Sequence, residues 1–246
     1  MSFLEDCLKN AVICNMRTFK LVKDYYDQGF NIFKKATAVF NPGVTVLVGC
    51  NGYGKSTMLN VIESQLESDN IPFIKYDNLT EGGNTAKSHF LFENDFTSLA
   101  TSMMSSEGEQ IHYNFSLLCG TLGNFVRTGK NTFRPNAFAG VFGEKKKEIT
   151  SNERWVLIDA IDSGLSIDNI EEIKKLFELM EEDAKANGKE LYIVVSANSY
   201  EVVRNTNGYD VNKCEYVTFK DYEDYRKFVL RCRKQKDKRY EKKEMF

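Results

Sequence analysis

The chain has 246 residues, 42% hydrophobic and 28% charged, with three prolines and a formal net charge of −2. That is ample for one large or two small globular domains, and the charge excludes a general polyelectrolyte attraction to nucleic acid, leaving only local basic patches. Six scattered cysteines (Cys7, Cys14, Cys50, Cys119, Cys214, Cys232) with no C-x-x-C pair argue against a zinc site or a disulfide framework, and the absence of a leader-like start or an 18-residue apolar run predicts a soluble, cytoplasmic protein with no membrane span.

Residues 1–14 read as a short amphipathic helix (Phe3, Leu4, Cys7, Leu8, Val12). From 15 to 40 the pattern becomes β-like, as RTFKLV and FNIFKKATAVF, with Asp27-Gln28-Gly29 as a turn signal between them. Phe19, Tyr25, Tyr26, Phe30 and Phe33 offer aromatic faces for a purine base, and the residues alone do not choose among them. Asn41-Pro42-Gly43 is the next turn. It leads into a buried-looking strand (Val44, Val46, Leu47, Val48), a glycine-rich turn, and a helix with Met58, Leu59, Val61 and Ile62.

That turn reads GCNGYGKST, and Gly49 with Gly54-Lys55-Ser56 matches G-x-x-x-x-G-K-[ST]. The spacing has a physical reason. A phosphate chain needs a cage of backbone N–H groups without side chains in the way, here 49–57 with Asn51, Gly52 and Thr57 among them. The helix that follows points its positive end at the same anion. Lys55 is placed to reach the β- and γ-phosphates, and the Ser56 hydroxyl to ligate Mg²⁺. The strand–loop–helix order predicts binding of a nucleotide with Mg²⁺.

Further along, 71–76 reads as a second strand, 77–102 as polar chain around a short helix at 90–100, and 111–122 as an apolar-faced helix. The stretch 128–153 is loop-like and carries Lys145-Lys146-Lys147. Trp155-Val156-Leu157-Ile158-Asp159 is a buried strand ending in an acid, placed to hold Mg²⁺ from the end of a neighbouring strand. A helix with Ile167, Ile170, Ile173, Leu176, Phe177 and Met180 follows, with Glu171 and Lys175 as an i,i+4 pair and Gly188 as its stop. Residues 191–195 form another buried strand, ending in Ser196-Ala197-Asn198. A helix start at Ser199, a strand near 216–219 and a long helix from about Asp221 complete the pattern. Strands alternating with helices imply a mainly parallel sheet.

WVLIDAIDSGLS (155–166) resembles the Walker B and D-loop of ABC-type ATPases, SSEGE (105–109) resembles their signature through Ser106, Gly108 and Glu109, and 44–57 resembles the phosphate loop of the SMC/RecF-like branch. The three matches lie in the family's order. The resemblance implies an α/β P-loop NTPase fold: a mixed, mostly parallel sheet, an antiparallel β subdomain, and a small helical lobe carrying the signature. It implies one domain over 1–246, with 1–76 and 151–246 as the nucleotide-binding lobe and 77–150 as the helical lobe with a long loop. It also implies a head-to-tail homodimer or heterodimer, each ATP lying between one phosphate loop and the partner's signature, so that losing the γ-phosphate loosens the dimer.

The sequence departs from that family in three places. Ala160 stands where the family has the Glu that polarises the attacking water, a role worth roughly 10²–10⁴-fold, so hydrolysis is expected to be impaired. Two readings stay open: an engineered Glu-to-Ala trap, favoured by the undamaged flanks, or a natural switch or degenerate heterodimer partner that binds without turnover. Ala197 is nearest the family's switch His, with Ser196 and Asn198 as substitute sensors; Asn78 is the Q-loop candidate, and Ser166 replaces the D-loop acid. His89 and His112 receive no role. No coiled coil separates loop and signature, which lie fewer than 50 residues apart. Ten Lys/Arg between 226 and 243, against Asp237 and Glu241, offer a patch for nucleic acid or an acidic effector, or simply a solvated helix face. The expected function is an ATP-gated dimer in DNA metabolism or a mobile-element or defence system. The alternatives are a transporter's ATP-binding subunit, or a non-hydrolysing scaffold or regulatory subunit of an effector complex.

Overall fold

A computed structural model of the chain describes residues 15–22, 31–78, 120–130 and 150–244. Two short strands, β1 (Arg17–Lys20) and β2 (Thr37–Phe40), pair antiparallel. Then come β3 (Gly43–Val48), α1 (Lys55–Ser68), β4 (Phe73–Asp77) and a helix over 120–128 (α2). The rest of the chain supplies β5 (Glu153–Asp159), α3 (Ile167–Ala186), β6 (Glu190–Ser196), α4 (Tyr200–Val203), β7 (Asn207–Asp210), β8 (Glu215–Val217) and α5 (Tyr222–Glu244).

Six strands make one sheet in the order β4-β5-β6-β3-β7-β8, parallel throughout except for the β7–β8 pair. The central strands are apolar on both faces, as strands covered on both sides must be. Val46, Leu47 and Val48, Trp155 to Ile158, and Leu191 to Val195 are all buried. This is the expected α/β phosphate-loop architecture, a mostly parallel mixed sheet with an antiparallel addition. Because β3, β4, β5 and β6 run the same way, their carboxyl ends deliver Gly49, Asp77, Asp159 and Ser196 to one edge. Open parallel sheets bind ligands at that edge.

The β1–β2 pair is attached to the sheet by rings. Phe19 meets Trp155 edge-on at 5.1 Å, Phe40 stacks on Tyr209 at 4.8 Å, and Trp155 lies flat on Tyr192 at 4.1 Å. Each such contact contributes about 0.5–1.5 kcal/mol beyond the area it buries.

Several expectations change in detail. Among the described residues of the β-like stretch 30–40, only Thr37–Phe40 is a strand; Ile32 and Phe33 lie in irregular chain and are buried instead. Glu171 pairs with Lys174 at 3.3 Å and Arg204 at 3.1 Å rather than with Lys175, because α4 ends beside it. β7, with no apolar alternation to signal it, is a strand that the sequence did not suggest. The expected helices at 1–14 and 90–100, the 111–119 part of the helix expected over 111–122, the signature residues Ser106, Gly108 and Glu109, both histidines and Lys145 to Lys147 lie outside the described residues. No described helix is long and apolar enough to cross a membrane.

Candidate functional site

A cleft of about 550 Å³ opens at the carboxyl edge of the sheet. Asn51, Gly52, Gly54, Lys55, Ser56 and Thr57 line it, facing Asp77, Asp159, Ala160, Ser196 and Asn198. Two glycines permit the loop's shape. Gly49 has φ +151° and Gly54 φ +112°; a Cβ on Gly49 would lie 2.3 Å from the Tyr53 ring, and one on Gly54 2.5 Å from Ile32 Cγ2. Neither position accepts a side chain.

Gly54 is the N-cap of α1, with no side-chain cap and no acid in the first turn. The N-terminus of this 14-residue helix thus carries no side-chain cap, which suits an anion. Lys55 is buried beside them. Its Nζ donates to the Gly49 carbonyl at 2.9 Å and to Asn198 Oδ1 at 2.8 Å. Burial pulls its pKa below the usual lysine value, while Cys50, Asp162 and Asp159 act in the opposite direction. A buried ammonium held only by neutral oxygens gains most from an incoming phosphate.

The carboxylates follow from strand register. Asp77 and Asp159 are directly paired across β4 and β5. Asp159 Oδ1 accepts from the Ala160 N–H at 3.0 Å and from the Ser196 hydroxyl, and the residue lines the cleft. Among the described residues no group of three or more His, Cys, Asp and Glu forms a metal cage. A Mg²⁺ that takes most of its ligands from phosphate oxygens and water does not need one; Ser56 and Asp159 are the residues that would hold it, with Asp77 beside them. The donor set therefore fits a magnesium nucleotide.

Ala160 sits in the left-handed region at φ +51°. Its N–H also donates to Ser196 Oγ at 2.8 Å, and its carbonyl accepts from Asn78 Nδ2 at 3.2 Å. Asn78 donates to the Ser163 carbonyl as well, at 2.9 Å, so it braces the turn after β5. Ser196 and Asn198 both line the cleft, and Ala197 between them is buried away from it. Ser166 Oγ bonds Asn169 at 2.7 Å at the start of α3.

Neither a protein-family model nor a curated protein sequence matches the chain. Among solved structures, it is similar to the ADP conformation of MJ1267, an ATP-binding cassette of an ABC transporter. The likeness covers 88% of this chain and 97% of that one, at 14% sequence identity and a TM-score of 0.43.

Sequence reasoning missed several residues of the neighbourhood. Asp77 needed the β4–β5 register to become visible. Asp162 Oδ2 accepts the backbone N–H groups of Asn198 at 2.8 Å and Ser199 at 2.6 Å, and so sets the β6–α4 turn. Lys236, Arg239 and Tyr240 come to the cleft from the far C-terminal helix. The aromatic candidates also resolve in part: Phe19 and Phe33 are buried in the core, Tyr25, Tyr26 and Phe30 lie outside the described residues, and the rings that line the cleft are Tyr53 and Tyr240.

Proposed function

We propose that the cleft binds ATP with Mg²⁺ and that the chain is an ABC-type ATPase head of the SMC/RecF-like kind, working as an ATP-gated dimer. The observation that carries the reading is the buried Lys55 held at the mouth of the Gly49-to-Thr57 loop, with the α1 N-terminus and Asp159 around it. In this reading, loop N–H groups hold the phosphates and Lys55 exchanges the Gly49 carbonyl and Asn198 for phosphate oxygens. Bound Mg²⁺ would supply charge neutralisation across the phosphates, held by Ser56 and Asp159. Ser106, Gly108 and Glu109 of a second subunit would close the sandwich, and the process served would be DNA metabolism or a mobile-element or defence function.

Turnover is proposed to be slow. The cleft offers a methyl group at Ala160, and the Asp159 oxygen nearest that turn is already engaged by Ser196. This same feature favours one second reading, a non-hydrolysing scaffold or regulatory subunit that uses ATP only to change its association. Light scattering with and without ATP–Mg²⁺ tests the shared mechanism: mass doubles for a homodimer and stays monomeric in Lys55→Ala. An unchanged mass at saturating ATP would remove the sandwich for a lone chain.

A further inference from the structure

The basic run of α5 is not simply a solvated helix face. Tyr225, Phe228 and Cys232 are buried on one stripe of the helix, and Gln235, Lys236 and Arg239 continue that stripe toward the phosphate loop. Gln235 accepts the Tyr53 hydroxyl at 2.7 Å, and Lys236 Nζ donates to the Asn51 carbonyl at 3.1 Å. The Arg239 guanidinium lies 5.0 Å from the centre of the Tyr53 ring, and its Nη1 reaches the Ile32 carbonyl at 3.4 Å. Asn51 and Tyr53 are both inside the G-x-x-x-x-G-K-S loop.

Two further observations point to an anion. Lys236 and Arg239 line the same cleft as Lys55 and Ser56, and neither has a carboxylate partner among the described residues. Their neighbours differ: Arg226 pairs with Glu223 and Arg233 with Asp237, on the exposed side. Arg239 Nη2 is moreover buried with no hydrogen-bond partner among the described residues. A buried donor without an acceptor is costly, and a small turn of the guanidinium toward the cleft would give it a phosphate oxygen as acceptor. A guanidinium is also shaped to grip phosphate with two parallel bonds.

We propose that Lys236 and Arg239 are phosphate ligands supplied in cis by the C-terminal helix, so that the nucleotide lies between its own loop and α5. The proposal rests on the reading of this cleft as the nucleotide site. It assigns part of the basic run to a small triphosphate rather than to a nucleic acid backbone.

The test is equilibrium binding of MgATP and of inorganic tripolyphosphate to the full chain, with ligand-free thermal melting of every variant. Lys236→Gln/Arg239→Gln should weaken both ligands by roughly 10–100-fold, the loss of one or two charge-assisted bonds. Lys234→Gln/Lys238→Gln, which removes the same charge away from the cleft, should change affinity less than about twofold at moderate salt. Lys236→Gln alone breaks a single bond to a carbonyl and should act in the same direction with melting unchanged. Absence of binding by the unaltered chain would remove the nucleotide reading itself, and this proposal with it. Binding that is lost in Lys55→Ala but kept in the double variant would overturn only the role of α5. So would a loss seen solely in variants whose ligand-free melting also falls, which would make α5 a strut.

Discussion

Asn198 Oδ1 accepts a hydrogen bond from Lys55 Nζ at 2.8 Å, tying the end of β6 to the head of α1. The contact holds the ammonium at the cleft without neutralising it. Asn198 is itself placed by Asp162, which accepts its backbone N–H at 2.8 Å and that of Ser199 at 2.6 Å, while the Tyr225 hydroxyl donates to its carbonyl at 2.7 Å.

Removing Asn198 or its anchor therefore acts on one small network. Asn198→Ala should cost about 1 kcal/mol, and Asp162→Ala about 1–3 kcal/mol, because two backbone donors lose a charged acceptor. The double variant should cost less than the sum, since both changes loosen the same turn. Urea unfolding of the four proteins checks this; strict additivity would show that the two residues act separately.

Ala160→Glu is expected to raise steady-state phosphate release by roughly 10²–10⁴-fold, the usual worth of a positioned base. Backbone strain does not stand in the way, because the left-handed φ of +51° is already borne by a non-glycine residue. Ala160→Gly should relieve that strain and stabilise the chain by up to about 1 kcal/mol, while leaving turnover low. Equal rates for the Glu variant and the unaltered chain would rule out a silenced ATPase.

Gly54→Ala is predicted to destabilise the fold by about 2 kcal/mol or more and to abolish nucleotide binding. The new methyl would sit 2.5 Å from Ile32 Cγ2 at a φ of +112°, so strain and overlap add. Circular dichroism melting and a nucleotide titration separate the two losses. Retained affinity in a folded variant would mean that the loop's shape tolerates a side chain here.

Asp210 supplies a pH dependence. It is buried at the end of β7, and burial raises its carboxyl pKa, although the backbone N–H groups of Asn212 and Lys213 donate to it at 3.0 and 3.1 Å. An acid raised on folding helps stability while protonated and loses that help as pH climbs through its folded value. Asp210→Asn keeps an acceptor for both N–H groups and removes the charge. It should therefore be more stable than the unaltered chain near pH 7, by up to about 1 kcal/mol, with the difference shrinking as pH falls. Denaturant midpoints across an acidic series read the trend, and a growing advantage at low pH would contradict it.

The sequence by itself determined the phosphate loop, the parallel strands and the acid at the end of β5. These are local patterns: continuous apolar runs that must be buried on both faces, and glycines at positions where a Cβ cannot fit. It also pointed to Ser196 and Asn198, through their place at the switch position of the ABC-type ATPases that the chain resembles. β7 escaped notice because Asn207-Gly208-Tyr209-Asp210 has no apolar alternation; it is a strand only because β3 offers it hydrogen bonds. The expected Glu171–Lys175 pair gave way to Lys174 and Arg204 once α4 packed nearby. Asp77 entered the site through register alone. The decisive change is α5, where ten basic residues read as a charge run and only the tertiary packing of Tyr225, Phe228 and Cys232 turns Lys236 and Arg239 onto the phosphate loop. Which way a helix faces is settled by what buries its apolar stripe: Tyr200 and Phe219 pack on Tyr225 and Phe228, and that packing brings Gln235 and Lys236 to Tyr53 and Asn51, more than 170 residues away in the chain.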